Sequence, residues 1–545
     1  MSEIPVVVVG GGPVGMGLAM NLEALGVRSM ILNTEVKPRW HPKGGTQNCR
    51  TMEHYRRLGL SSRIRKLGLP KDHTTDVAYL TTLNGWEIAR IPMPSEAEKQ
   101  RAVAHADICD QVPEPILRCN QMYVEGFVFE HLRSLPRIDV RFGWECVDWE
   151  QRDDRIDVEI LEVTSGRRER VQCQYLVGCD GGSSMVRRKL GTRYSGERPT
   201  ERAYASGATL STYLKAPSLY TQVIKNIAWH YWIINPAVRA NLVTLDGQGS
   251  FLLNTKLNNP DEPPDETTIR EQFRRAIGQE VDAEFIAHTP YTAGQALVAD
   301  SYGSGRVLLA GDSVHLFTPT GGFGMNTGVD DAANLGWKLA ATIQGWGGPR
   351  LIESYEAERR PIAFRNTGAA KAMSLTNGEV PVGSHITEDC AAGVSDRHAA
   401  AAVLNTFGNQ FASLGVQLGA RYDDSSIVFG DPQFRVEDDR EEYVPTSQPG
   451  GRAPHAYLPG HISLFDQFGA GFTLLCLDAT QDVSQMESAA RERGIPLNTL
   501  RVGIPEIHKL YDCNLALIRP DQHVAWRGNR PPQDSMAVFA RVTGW

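Results

Sequence analysis

The chain opens on an apolar run, Ile4–Val9, the pattern of a strand buried on both faces. Apolar spacing then becomes helical at Val14, Leu18, Leu22 and Leu25, and a second apolar run follows at Val27–Leu32. Strand, tight turn, helix and parallel strand are therefore predicted. Thr46–Leu60 reads as a loop entering a helix, and Val77–Ile91 alternates around Asn84-Gly85 as a hairpin would. Leu117–Leu132 returns to helical spacing. Val140–Trp149 and Ile156–Val163 alternate as paired strands, and Cys173–Val177 predicts one more. From about Arg202 to Thr292 the pattern shifts to long strands rich in β-branched and aromatic residues, including Ala228–Ile234 and Ser250–Leu257. A separate sheet, inserted into the first fold, follows from that shift. A helix is predicted from Gly324 to about Ile343, continued by Ser354–Pro361. Beyond the acidic run Val436–Tyr443, read as a solvated loop, a third unit begins near Pro449 with strands in Gly471–Asp478 and His523–Gly528.

Three glycine-centred motifs punctuate this pattern: GGGPVG at Gly10–Gly15, CDGGSSMVR at Cys179–Arg187 and GDSVHLFTPTGGFGMN at Gly311–Asn326. In the first, Gly10 permits the turn, Gly12 lets backbone amides approach a pyrophosphate, and Gly15 brings the helix close to the sheet, with Pro13 and Val14 between them. Placed between a strand and a helix, this spacing reads as dinucleotide binding. The acidic residue expected on the ribose at the end of the second strand is replaced by Asn33, with Glu35 two positions later. The ribose contact therefore stays open between the two.

At 545 residues the chain is long enough for two or three domains. A net charge of -8 without a basic cluster argues against nucleic acid as a partner. No apolar stretch is long enough to span a bilayer, so no membrane partner and a cytoplasmic location are expected. The nine cysteines are scattered without ligand spacing, which reads as reduced thiols and no metal site.

Together and in this order, the three motifs resemble those of the single-component FAD-dependent aromatic hydroxylases of the para-hydroxybenzoate and phenol hydroxylase type, in the long form with a thioredoxin-like third domain. The resemblance spans nearly the whole chain. It implies an α/β fold: a Rossmann-like FAD-binding domain in three parts (1–75, 116–200, 293–395), an inserted β-sheet substrate domain (76–115 and 201–292), a linker with a helical segment (396–440) and a thioredoxin-like α/β domain (441–545). It also implies FAD as cofactor, NADPH or NADH as electron donor, O2 and a small phenolic substrate as partners, a possible homodimer, and oxygen transfer through a flavin C4a-hydroperoxide. Carried over by resemblance, Asp180, Gly181 and Arg187 serve FAD and the nicotinamide donor, and Asp312 after Gly311 binds the ribityl chain. The backbone of Gly321, Gly322, Gly324, Met325 and Asn326 faces the flavin ring, and Arg50, Arg118 and Gln121 touch the cofactor. Pro319 places its carbonyl near the substrate. Cys476 stands without a second thiol nearby in sequence, so the third domain reads as a packing module.

Oxygen transfer beside a hydroxyl is easier on a phenolate, so a group that assists deprotonation is expected, worth on the order of 10² to 10⁴ in rate. His230 and Tyr231 project from opposite faces of one strand, so only one of them can line a pocket. His41, in the loop after the second strand, is the third candidate; the aspartate of related phenol hydroxylases would fall near Gly45 and is missing. His315 is expected to shape the flavin loop. A halogenase-type tryptophan motif is not met, because Trp229 and Trp232 are three apart. Baeyer-Villiger oxygenation of a ketone, or flavin binding without turnover, remain as alternatives on the same scaffold.

Overall fold

A computed structural model describes residues 3–197, 207–257, 264–293, 295–407, 411, 413–430 and 436–545. The first strand, Glu3–Val9, is the centre of a sheet whose order is Gly303–Ser304, Val307–Leu309, Arg168–Gly178, Glu3–Val9, Ser29–Asn33, Ile138–Phe142. From Val307–Leu309 to Ile138–Phe142 the neighbours are parallel. Val6, Val7 and Val8 are fully buried, because helices lie against this sheet as an all-apolar strand requires. The first helix, Pro13–Ala24, packs on the long helix Phe323–Ile343.

The predicted strand Val140–Trp149 is two strands. Gly143, at φ 81, breaks it into Ile138–Phe142, which closes the parallel edge, and Trp144–Gln151, which pairs antiparallel with Ile156–Glu162. Only glycine takes that backbone conformation without strain, and alternation alone could not reveal the turn. The stretch Leu117–Leu132 likewise divides: Leu117–Arg118 pairs with Thr46–Gln47, and the helix runs from Gln121 to Leu132. The helix expected to end at Pro361 instead spans Pro349–Gly378, with Pro361 inside it.

The inserted sheet has the order Glu284–Ala293, Gly207–Lys215, Ser250–Lys256, Arg239–Thr244, His230–Ile234, Val77–Leu80, Glu87–Ile91. The hairpin around Asn84-Gly85 thus joins this sheet through a parallel pairing of Val77–Leu80 with His230–Ile234. One face is closed by the helix Glu266–Ile277, with Tyr231, Ile233, Leu242, Phe251 and Leu253 packed against Phe273 and Ile277. The expected domain boundary at 200/201 falls within 198–206, outside the described residues.

The C-terminal unit is a four-stranded sheet, Leu497–Arg501, Phe472–Cys476, Leu515–Ile518, Val524–Gly528, with helices on both faces. Its helices Ser484–Glu492 and Ser535–Val542 share one apolar cluster with Trp337 and Trp346, so this unit packs directly on the helices of the first unit.

Candidate active site

The three motifs leave the carboxyl ends of three adjacent parallel strands, where open α/β sheets bind their ligands. Val9 stands opposite Gly178, and Gly178 opposite Leu309. Gly10, at φ 114, is so close to the second motif that a Cβ on it would lie 2.2 Å from the Cys179 carbonyl. At Gly12, the N-cap of Pro13–Ala24, a Cβ would meet nothing within 4 Å, and no side chain caps the helix. Its first amides therefore face open space, as a pyrophosphate cradle requires. Asn33 is spent on holding this loop: its Oδ1 accepts from Gly11 N at 3.1 Å and its Nδ2 donates to the Glu35 carbonyl at 3.0 Å. Glu35 itself pairs with Arg39 at the surface.

In the second motif, Asp180 accepts from the Met185 amide at 2.7 Å and the Val186 amide at 3.2 Å, which fixes the short helix Met185–Lys189. Gly181 has φ 80. Arg187 donates to Tyr194 Oη at 2.7 Å and to the Ser313 carbonyl at 3.3 Å, and Tyr194 in turn donates to the Asp312 carbonyl. The second motif thereby positions the backbone of the third. The Asp312 carboxylate has no hydrogen-bond partner among the described residues; it is open to solvent, and the protein crowded around it raises its pKa. Capping of that turn falls to Ser313, whose Oγ accepts from Ala310 N at 3.0 Å. Asp312 is thus available to a ligand.

The loop that follows is built from turns. The Pro319 carbonyl accepts from Gly322 N at 3.1 Å, and Gly321 and Gly322 both have positive φ before the helix Phe323–Ile343 begins. Asn326 is a strut: it donates to the Gly322 carbonyl at 2.7 Å and the Thr46 carbonyl at 3.1 Å, and accepts from Asn48 N at 2.9 Å. Gly324 lies over Phe317, while Phe323 turns into an apolar cluster with Ala369, Ala370 and Val416. Met325, Pro13, Gln47 and Gln121 line a shallow recess with Tyr55 and Glu125. Gln121 donates to Glu125 there at 2.5 Å, and burial raises the Glu125 pKa.

Sequence reasoning missed what anchors this loop. Asp330 and Asp331, on Phe323–Ile343, sit in a buried ionic cluster. Asp331 accepts from His315 Nε2 at 2.7 Å, from the Gly311 amide at 3.2 Å and from Arg359 Nε at 2.7 Å. Asp330 bonds Arg359 and, at 2.8 Å, His54. Two adjacent acids inside a helix just after the third motif were the available signal. His315 shapes the loop, as expected.

Several expected contacts take other roles. Arg50 is buried and donates to Glu53 at 2.8 Å, Gln522 at 2.9 Å and the Asp521 carbonyl at 2.5 Å, so it joins the first and last units. Arg118 donates to Thr46 Oγ1 at 2.7 Å and the Phe411 carbonyl at 3.0 Å, and lies 4.1 Å over Trp229; burial lowers its pKa to about 9. It braces the wall between the Thr46–Gln47 strand and the inserted sheet. Tyr231 is on the closed face, its Oη accepting from Ala228 N at 2.8 Å, so it cannot reach a pocket on the other side. His230 is on the other face, stacked on Trp232 at 4.9 Å with Asn241 beside it, and burial pushes it down to about 3. His41 Nε2 is 3.4 Å from Ser211 Oγ of the same face, and burial lowers its pKa as well. The loop from His41 to Thr46 spans from this face to the loop of the third motif: a Cβ on Gly45 would lie 3.5 Å from Trp229, and one on Gly322 would lie 3.4 Å from Thr46.

All nine cysteines are free. Among the described residues, His385, Glu388 and Cys390 could gather around an ion, and all three are exposed. No helix among them is long and apolar enough to cross a membrane.

Comparisons with known proteins agree with this geometry. Residues 3–370 match the family described as FAD binding domain, and residues 446–545 match the aromatic-ring hydroxylase C-terminal domain. The chain is 31% identical to a putative polyketide hydroxylase of Streptomyces halstedii, over 97% of this chain and 94% of that one. It is 26% identical to a phenol 2-monooxygenase of a Pseudomonas species, over 99% and 93%. Among solved structures it is similar to the rebeccamycin biosynthetic enzyme RebC with reduced flavin, with a TM-score of 0.89, 34% identity and 99% of both chains covered.

Proposed function

The chain belongs to the family of flavoproteins that join an FAD-binding domain to an aromatic-ring hydroxylase C-terminal domain, and from that premise we propose that it hydroxylates a phenolic ring at the expense of NADH or NADPH. The donor supplies two electrons, one atom of O2 enters the ring and the other leaves as water. Bound FAD supplies the redox and oxygen-activating chemistry. The observation that carries the reading is the convergence of the three motifs at adjacent strand ends with the Asp312 carboxylate left unpartnered among the described residues.

This chain's own residues hold, orient and shield. The open amides at the start of Pro13–Ala24 take the pyrophosphate, and Asp312 takes ribityl hydroxyls. The helix starting at Phe323 aims its positive end at the flavin loop, where reduction accumulates negative charge. His41 is the residue placed to take a phenol proton. Its lowered pKa keeps it neutral at pH 7, and Ser211 orients it, whereas His230, at about 3, is too weak a base.

The test is to measure NAD(P)H consumption against a panel of phenols, with mass analysis of products. If no phenol stimulates consumption and none gains one oxygen, the reading fails. His41→Ala should keep its FAD but form less product per NAD(P)H, with the difference appearing as hydrogen peroxide and shrinking at high pH. Full coupling across pH would remove His41 from the proton's path.

A further inference from the structure

On its Trp232 side the inserted sheet is roofed by an apolar cluster of Val380, Ile386, Ala400, Leu404 and Phe407. Within that roof the loop 385–390 runs into the helix Ala391–Leu404. Ile386 pins the loop, being fully buried. Either side of the pin the backbone is tied to the helix. Asp396 accepts from the His385 amide at 3.0 Å, and Arg397 donates to the Ile386 and Glu388 carbonyls at 2.9 Å each. A Cβ on Gly393 would lie 2.2 Å from the Glu388 carbonyl oxygen, so the loop and the first helical turn are in direct backbone contact.

On this pinned loop three side chains of different chemistry converge at the surface. His385 Nδ1 stands 3.0 Å from Glu388 Oε2, and Cys390 Sγ donates to the same carboxylate oxygen at 3.6 Å. No two of the three ligand atoms are more than 4.8 Å apart. Ligands about 2.0–2.3 Å from a tetrahedral zinc ion stand roughly 3.3–3.7 Å from one another, so the triangle is already near that size. The Gly393 amide donates to Cys390 Sγ at 3.4 Å, the kind of bond that orients a metal-bound thiolate.

Stability does not account for the arrangement. An ion pair as exposed as His385–Glu388 contributes little, and cysteine is otherwise a residue of interiors. Of the nine cysteines Cys390 alone is exposed, and it takes an N-cap where serine, aspartate or asparagine is usual.

We propose that His385, Glu388 and Cys390 form a zinc site of one imidazole nitrogen, one carboxylate oxygen and one thiolate, with the fourth position left to water. Cys390 gives its proton to solvent on binding. Nitrogen and sulfur donors together select zinc over magnesium or calcium, which take oxygen ligands. The ion staples the loop to the start of Ala391–Leu404, the helix whose Ala400 and Leu404 cover the sheet. The site lies outside the three glycine motifs and does not depend on the reaction proposed above.

The test uses the full-length, FAD-loaded protein, stripped of metal with a chelator and kept reduced with a phosphine, with cobalt as the spectroscopic probe and zinc as its competitor. The unaltered protein should take up cobalt with a thiolate-to-cobalt absorption in the difference spectrum, removed by zinc and left intact by magnesium. Cys390→Ser supplies a preferred N-cap, so it should keep its FAD and lose that absorption. His385→Ala and Glu388→Gln should each weaken zinc binding by at least about tenfold. A missing thiolate band, its persistence in Cys390→Ser, displacement of cobalt by magnesium, or unchanged zinc affinity in His385→Ala or Glu388→Gln overturns the site.

Discussion

At the scale of single residues, the decisive groups are those whose role is set by local backbone. Gly10, Gly12 and Asp312 were legible in sequence because a turn, an open helix start and the end of a strand fix their surroundings within a few residues. Asp312→Ala should weaken FAD binding by about 1.5–3 kcal/mol, the worth of a hydrogen bond to a charged group, measured by titrating apoprotein with FAD. An unchanged dissociation constant would return Asp312 to a surface role. The partners of Arg50 and Tyr231 were not legible, for the opposite reason. Which way each side chain points depends on partners remote in sequence, such as Gln522 for Arg50, or on the helix Glu266–Ile277 for Tyr231. Tyr231→Phe should accordingly lower stability by about 1 kcal/mol in thermal unfolding, with product formed per NAD(P)H unaltered. A coupling defect would put Tyr231 back in the pocket.

At the scale of elements, the helix Phe323–Ile343 does two jobs: its start continues the loop of the third motif, and its middle carries the Asp330 and Asp331 pair that holds Arg359, His54 and His315. The helix was legible from spacing; its ion pairs were not, since charged residues in a helix normally read as a solvated face. Breaking a buried pair strands a charge, so Arg359→Met should destabilise the protein by about 3–5 kcal/mol and lower FAD content by loosening Asp331, which holds Gly311 and His315. Denaturant melts of the holoprotein check this, and a loss under about 1 kcal/mol would contradict it. The same neighbourhood explains why Pro349–Gly378 continues through Pro361. Glu358 and Arg359, on the turn just before it, are locked by bonds to Lys338, Arg519 and the acid pair.

At the scale of the molecule, burial-depressed histidines contribute to the response to acid. His54, His230 and His455 are pushed down to about 4, 3 and 4, from an ordinary value of 6.5. Below 6.5 the unfolded chain takes protons that the folded chain refuses. Stability is therefore complete above that pH and falls as pH drops towards 4, by up to ~1.4 kcal/mol per pH unit for each histidine. Melting temperatures between pH 7.5 and 5 should decline, and His230→Phe should flatten the slope; a level profile would show the rings are not dry. The separate sheets were foreshadowed by strand pattern, a continuous apolar run in the first and alternation in the inserted one, whereas the joint between the first and last units was not. That joint is ionic: Glu53 lies buried between Arg50 and Arg452, and Glu358 between Lys338 and Arg519. It sets an order of events during synthesis. Glu53 leaves the ribosome 399 residues before Arg452, a wait of about 20–80 s at ordinary elongation rates. For that time Glu53 has only Arg50 of its two buried counter-charges. The last hundred or so residues thus act as the latch that lets the first ones finish folding.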